Sequence, residues 1–224
     1  MREGAPLARG LALIFDMDGV LIDSNPLHRA AWAAYNRRFG LETTEAMQQS
    51  MYGKRNDEIV RNFFGDLPEA EVMARGAAKE KLYREMIAGK VESILVPGLL
   101  TFLETYRAAP MAVATNAEPE NVAFILDGGG LRKYFRAVLD GQQVQHAKPD
   151  PEIYLRAAQE LAVAPDNCIV FEDSHSGIQA ARAAGMRVIG LCTTHGYLPG
   201  TDCNVDNFMN GDLSTWLAAQ TCTA

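Results

Sequence analysis

Apolar and polar positions alternate between two rhythms along this chain. Residues 11–16 (LALIFD) form a short unbroken apolar run that ends in a carboxylate, and similar runs recur at 111–115, 137–139, 168–171 and 187–191. Runs of this length with no polar face suit strands buried on both sides of a parallel sheet. Between them, residues 98–109, 118–126, 151–161 and 175–184 carry helical patterns, and Gly185 is a natural stop for the last. Strands alternating with helices predict an α/β fold with a Rossmann-like parallel-sheet core.

Residues 26–90 break that rhythm, because no strand pattern appears there. A helix is expected over 27–39, with Trp32, Tyr35 and Phe39 as candidate buried positions and Gly40 as its stop. Helical character continues over 57–64 and 69–88. The expected division is a catalytic core of residues 1–24 and 92–224, interrupted by a helical cap of residues 25–91. The crossings at 23–26 and 91–98 would be its hinges. The first ten residues read as a frayed extension.

Composition narrows the function. With 48% hydrophobic and 22% charged residues over 224 positions, the chain is an ordinary folding sequence. At this size it buries roughly 70% of its unfolded surface without a disulfide or metal staple. A net charge of −7 excludes the basic footprint of a nucleic-acid binder. Cys168, Cys192, Cys203 and Cys222 show no Cys-x-x-Cys spacing, which fits free thiols in a reducing cytoplasm. The start MREGAPLARG lacks the apolar stretch of a secretion signal, and no run approaches the ~20 residues of a membrane span.

Candidate chemistry gathers at strand ends, where open α/β sheets bind ligands. Asp16 and Asp18, with Gly19 permitting close backbone approach, form a hard-cation site and a possible nucleophile with an acid/base; a solvated loop is the plainer alternative. Val20 in place of a third oxygen donor excludes an EF-hand. Glu172 and Asp173 end another run, although Asp173 alone would serve as a helix cap. Together the two acidic pairs offer three or four oxygens to Mg²⁺. Thr115 and Asn116 end a third run and offer an anion site or an N-cap. Lys148, stiffened by Pro149 and Pro151, can aim inward or simply be solvated. A nucleophile, an acid/base, a metal cage, a hydroxyl and a cation are the inventory of phosphoryl transfer through an aspartyl-phosphate.

With these residues in view, the chain resembles the haloacid dehalogenase superfamily. FDMDGVLIDS is similar to its first motif, ATN to its second, Lys148 in AKPDP to its third and FEDSHSGIQAA to its fourth, in the expected order over residues 11–195. The helical insertion resembles the C1-type cap of the β-phosphoglucomutase-like subgroup. The resemblance implies Asp16 as nucleophile and Asp18 as the acid and later the base, its carbonyl joining the metal shell. It implies Thr115, Asn116, Lys148 and the Gly19 backbone as the phosphoryl grip. Asp16, Asp18 and Asp173 would hold Mg²⁺, with Glu172 contributing directly or through water. Asp18 must start protonated, so surroundings that favour its acid form are expected.

Specificity is expected from the cap: His28 stands where the mutases carry a histidine, and Lys54 and Arg55 follow Gly53 and could bind a distal anion. Two departures from the mutase pattern point away from a mutase. Asn56 stands where mutases place an arginine, and Ala117-Glu118 stands where they place Ser-Lys for a second phosphate. A cytoplasmic phosphatase of small phosphorylated metabolites, sugar phosphates foremost, is therefore expected, as a monomer or weak dimer with no nucleic-acid or membrane partner. The alternatives are a β-phosphoglucomutase and a non-catalytic binding protein on the same scaffold.

Overall fold

The computed structural model describes residues 7–222. The core strands are β1 (Ala12–Phe15), β2 (Met111–Ala114), β3 (Ala137–Leu139), β4 (Cys168–Glu172), β5 (Arg187–Leu191) and β6 (Cys203–Val205). They form one parallel sheet in the order β3-β2-β1-β4-β5-β6. Helices α1 (Asn25–Arg37), α2 (Glu45–Ser50), α3 (Asn56–Phe64) and α4 (Glu69–Ile87) follow β1. The later helices are α5 (Leu99–Thr105), α6 (Pro119–Gly128), α7 (Glu152–Leu161), α8 (His175–Ala183) and α9 (Gly211–Ala218).

The unbroken apolar runs are explained by burial on both faces. Leu13 and Phe15 of β1 join one core cluster, while Ala12 and Ile14 join another across the sheet. Phe15 stacks on Phe171 of β4 with ring centroids 4.7 Å apart. A third cluster belongs to α1–α4 alone and centres on Trp32, Tyr35, Ile59, Val60, Phe63 and Val72. Strand register decides which residues meet at the strand ends. Phe15 pairs with Val113 on one side and Phe171 on the other. Asp16, Thr115 and Glu172 therefore come to one edge of the sheet, and β1 is the strand from which the order diverges.

Several expectations change. Phe39 is 49% exposed, because α1 ends at Arg37 and its ring lies on Tyr35 and Phe64 from outside. Of the expected ten-residue extension, Leu7 and Ala8 pack against the core rather than fraying, Arg9 and Gly10 form an exposed turn, and residues 1–6 lie outside the described residues. Strand β6, helix α9 and the one-turn-and-a-half α2 are not legible in the sequence pattern. All four cysteines are free thiols. Among the described residues, no helix is long and apolar enough to cross a membrane.

Candidate active site

Asp16 is the first residue beyond β1 and is buried. Lys148 Nζ donates to its Oδ1 at 2.6 Å, to Glu172 Oε1 at 2.7 Å and to the Ala114 carbonyl at 2.9 Å. All three hydrogens of the ammonium thus have acceptors on three strand ends. Burial pushes the Lys148 amine down, but Asp16 and Glu172 outweigh it and hold the pKa above its ordinary value.

Glu172 is the anchor of that lysine. Its Oε1 also accepts from Tyr154 Oη of α7 at 2.7 Å. Its Oε2 accepts from the backbone N–H groups of Asp173 and Ser174, both at 3.0 Å, and from Ser174 Oγ at 2.9 Å. Five donors occupy a carboxylate with about four lone-pair sites, so a direct metal bond would displace one of them. Of the two expected modes, direct or through water, these donors favour the second, with Glu172 supporting Lys148 from outside the cation's own shell. Burial pushes Glu172 up, yet Lys148 and these hydrogen bonds bring it below its ordinary value. Gly177, in the first turn of α8, makes the arrangement possible. A Cβ there would sit 1.7 Å from Glu172 Oε1. Gly177→Ala should therefore cost on the order of 3 kcal/mol in urea unfolding, with loss of turnover; an unshifted midpoint would contradict this packing.

Asp173 completes the acidic group. Its Oδ2 accepts from Asn25 Nδ2 at 2.9 Å and from Thr194 Oγ1. Gly19, at φ +77°, passes so close that a Cβ would lie 1.9 Å from the same oxygen. Carboxylate oxygens of Asp16, Glu172 and Asp173 all fall within 4.8 Å of one another. Burial pushes Asp16 up to about 7, with Lys148 pulling it down and Glu172 pushing it further up. Burial, then Glu172 and Asp16, raise Asp173 well above the ordinary carboxylate range. Three buried carboxylates against one ammonium leave two negative charges uncompensated. Hard oxygen donors with that deficit fit a divalent cation such as Mg²⁺.

Asp18 lies beside them and is partly open. Its Oδ1 accepts from Ser24 Oγ at 2.5 Å and from His28 Nε2 at 3.2 Å. Lys79 Nζ lies 2.8 Å from His28 Nδ1. An ammonium only donates, so Nδ1 is the acceptor and Nε2 carries the proton that faces Asp18. The His28 ring stacks on Tyr83 with centroids 3.8 Å apart. Burial pushes Asp18 up, but His28 and the Ser24 hydrogen bond more than offset it, leaving it below its ordinary value. That reverses the expected preference for the acid form, and the reason is two donors that sequence spacing did not show.

The remaining expected residues divide. Thr115 is buried at the end of β2, and its Oγ1 accepts from the Ala117 N–H at 3.2 Å. Asn116 Nδ2 donates to the Gly53 carbonyl between α2 and α3 at 3.0 Å, and its Oδ1 faces the Lys148 N–H at 3.4 Å. Arg55 lines the cavity, but its guanidinium donates to the carbonyls of Gly141 and Val144, so it clamps a core loop. Both of those bonds come from one guanidinium nitrogen, and Lys54 lines the same cavity beside Arg55. The cavity is about 450 Å³ and is walled by Asp16, Asp18, Thr115, Lys148, Asp173 and His28 among others. Ser24, Asn25, Lys79, Tyr154 and Thr194 were missed. Only Ser24 and Asn25, next to the first acidic cluster, carried any positional hint.

All four motif clusters thus meet at one edge of the sheet. The family model of the haloacid dehalogenase-like hydrolases matches residues 11–185. The chain belongs to that family. A fructose-1-phosphate phosphatase of Escherichia coli (strain K12), YqaB, is 37% identical over 82% of this chain and 97% of its own. A phosphorylated carbohydrates phosphatase of Thermotoga maritima is 34% identical over 80% of this chain and 84% of its own. In fold, the chain is similar to a β-phosphoglucomutase of Clostridium difficile, with a TM-score of 0.82 at 24% identity over 92% of this chain and 96% of that one. The chain is accordingly a hydrolase of the haloacid dehalogenase-like family.

Proposed function

We propose that the protein is a Mg²⁺-dependent phosphatase of small sugar phosphates that works through an aspartyl-phosphate on Asp16. The observation that carries this reading is the Asp16 carboxylate, fixed at 2.6 Å by Lys148 inside a cluster of buried acids. Asp16 and Asp173, with the Asp18 carbonyl, would hold the cation. Bound there, Mg²⁺ would neutralise the phosphoryl oxygens against the carboxylate that attacks them.

Lys148 and the Thr115 hydroxyl would grip the phosphoryl oxygens while Asp16 attacks phosphorus. The P–O bond to the sugar breaks, and Asp18 protonates the departing alkoxide. Asp18 then takes a proton from the water that hydrolyses the aspartyl-phosphate, which restores both carboxyl groups. Its low pKa in the free enzyme is no obstacle, because a phosphoryl dianion drawn against a carboxylate raises its proton affinity. Ser24 and His28 keep it aimed.

A sugar phosphate is favoured by the two phosphatase relatives, whose names specify fructose 1-phosphate and phosphorylated carbohydrates. Hydrolysis is favoured over isomerisation by Glu118. It lines the cavity, burial raises its pKa, and Asn56 Nδ2 donates to its Oε1 at 2.8 Å. A second phosphate, which isomerisation needs, would face that carboxylate.

The test is a product assay with Mg²⁺ on fructose 1-phosphate and on β-glucose 1-phosphate. Inorganic phosphate is expected to form faster than any isomer. Glucose 6-phosphate appearing ahead of phosphate would favour the mutase, and no turnover of either would favour a binding protein.

A further inference from the structure

Helix α4 buries two charges that the proposed phosphoryl chemistry does not itself require. Lys79 is 1% exposed and Glu80 is 4% exposed. Glu80 Oε1 accepts from Lys79 Nζ at 2.7 Å and from Asn56 Nδ2 at 2.8 Å, and its Oε2 accepts from Asn121 Nδ2 at 2.7 Å. Asn121 belongs to α6 of the core, and its Oδ1 accepts from Arg84 of α4 at 2.6 Å. Glu80 therefore spans the seam between the α1–α4 segment and the sheet domain. Burial pushes its carboxyl up, but Lys79 above all brings it down to about 2, so it is ionised. On its other side the contacts run from Lys79 to His28 Nδ1 and from His28 Nε2 to Asp18.

We propose that Glu80 is a positioning residue that ties the closed seam to the aim of Asp18. With Asn121 in place, Glu80 is held on both oxygens and fixes the Lys79 ammonium beneath His28. The ammonium in turn fixes the ring so that its Nε2–H meets Asp18. Parting the seam removes Asn121 from both Glu80 and Arg84 of α4 and lets water reach Glu80. Lys79 and His28 then lose their fixed geometry. Asp18 is aimed to give its proton when the cavity is shut, which is when water competes least for the phosphoryl group. The inference rests on Asp18 being the proton donor of the proposed phosphatase reaction. The rival is an ion pair that only stabilises the fold.

Leaving-group chemistry separates the two. A sugar alkoxide must be protonated to leave, whereas p-nitrophenolate leaves as the anion. The value of kcat/KM reports steps up to leaving-group departure. Asn121→Ala is the first variant, since that side chain touches neither Lys79 nor His28. Its kcat/KM for fructose 1-phosphate should fall about tenfold or more, and for p-nitrophenyl phosphate less than about threefold. Glu80→Gln keeps the shape and should show the same split, in the direction given by Asp18→Asn. Equal losses on both esters, or none on either, would overturn the proposal. A wild-type enzyme that hydrolyses neither ester overturns the phosphatase reading itself, and this inference with it.

Discussion

Asp16→Asn is expected to abolish turnover while leaving the fold intact. An amide is not a nucleophile toward phosphorus under these conditions, and removing the attacking group of a covalent mechanism costs on the order of 10⁴-fold or more. The variant is a clean probe because the side-chain oxygen that accepts from Lys148 at 2.6 Å remains available. Replacing one of three clustered carboxylates with a neutral isostere also relieves repulsion with Glu172 and Asp173. The melting temperature at neutral pH should therefore not fall. Rapid quench of wild type with labelled substrate should trap phosphate on the protein, and the variant should trap none. Turnover retained within tenfold of wild type, on any ester, removes Asp16 from the nucleophile's place.

How legible the fold was depended on burial. The strand at 187–191 was readable because a strand covered on both faces has no polar face to blur it. β3 and β6 are both three-residue, partly buried strands at the two edges of the sheet; β3 was readable because Ala137, Val138 and Leu139 are all apolar, whereas Asn204 breaks the run in β6. The acids at strand ends were readable as candidates, yet their meeting was not. Asp16 and Glu172 become neighbours through the pairing of Phe15 with Phe171, a register that local spacing does not encode. Lys148 alone looks like any surface lysine. What turns it inward is Glu172, held by Tyr154, and Tyr154 reads in sequence as ordinary core. Lys79 and Glu80 were hidden for the opposite reason. Adjacent charges on a helix read as a solvated face, and only packing against α1, α3 and α6 buries them.

The metal-free protein should lose stability as pH rises from about 5 to about 8, and Mg²⁺ should restore it. The sign comes from Asp16, whose carboxyl is raised from 3.8 to about 7, burial being the largest cause. In this window the folded state keeps a proton that the unfolded chain has already released. That stabilisation is complete below 3.8 and is lost as pH climbs through about 7. Asp173, raised in the same sense, extends the loss upward. Glu80 and Glu172 act oppositely: their contribution is present above their ordinary values and lost only in acid, so they leave this window unaffected. Between about pH 5 and about pH 8 the Asp16 effect alone amounts to about 3 kcal/mol, or on the order of 10 °C in Tm for a chain of this size. A divalent cation takes these carboxylates deprotonated, so its binding releases protons and strengthens with pH. Melting curves in EDTA and in Mg²⁺ at both pH values should show a larger cation-induced rise at the higher one, and Asp173→Asn should largely remove it. An equal rise at both pH values, or one that survives Asp173→Asn, would mean that the cation sits elsewhere and that the buried acids are neutralised by protons alone.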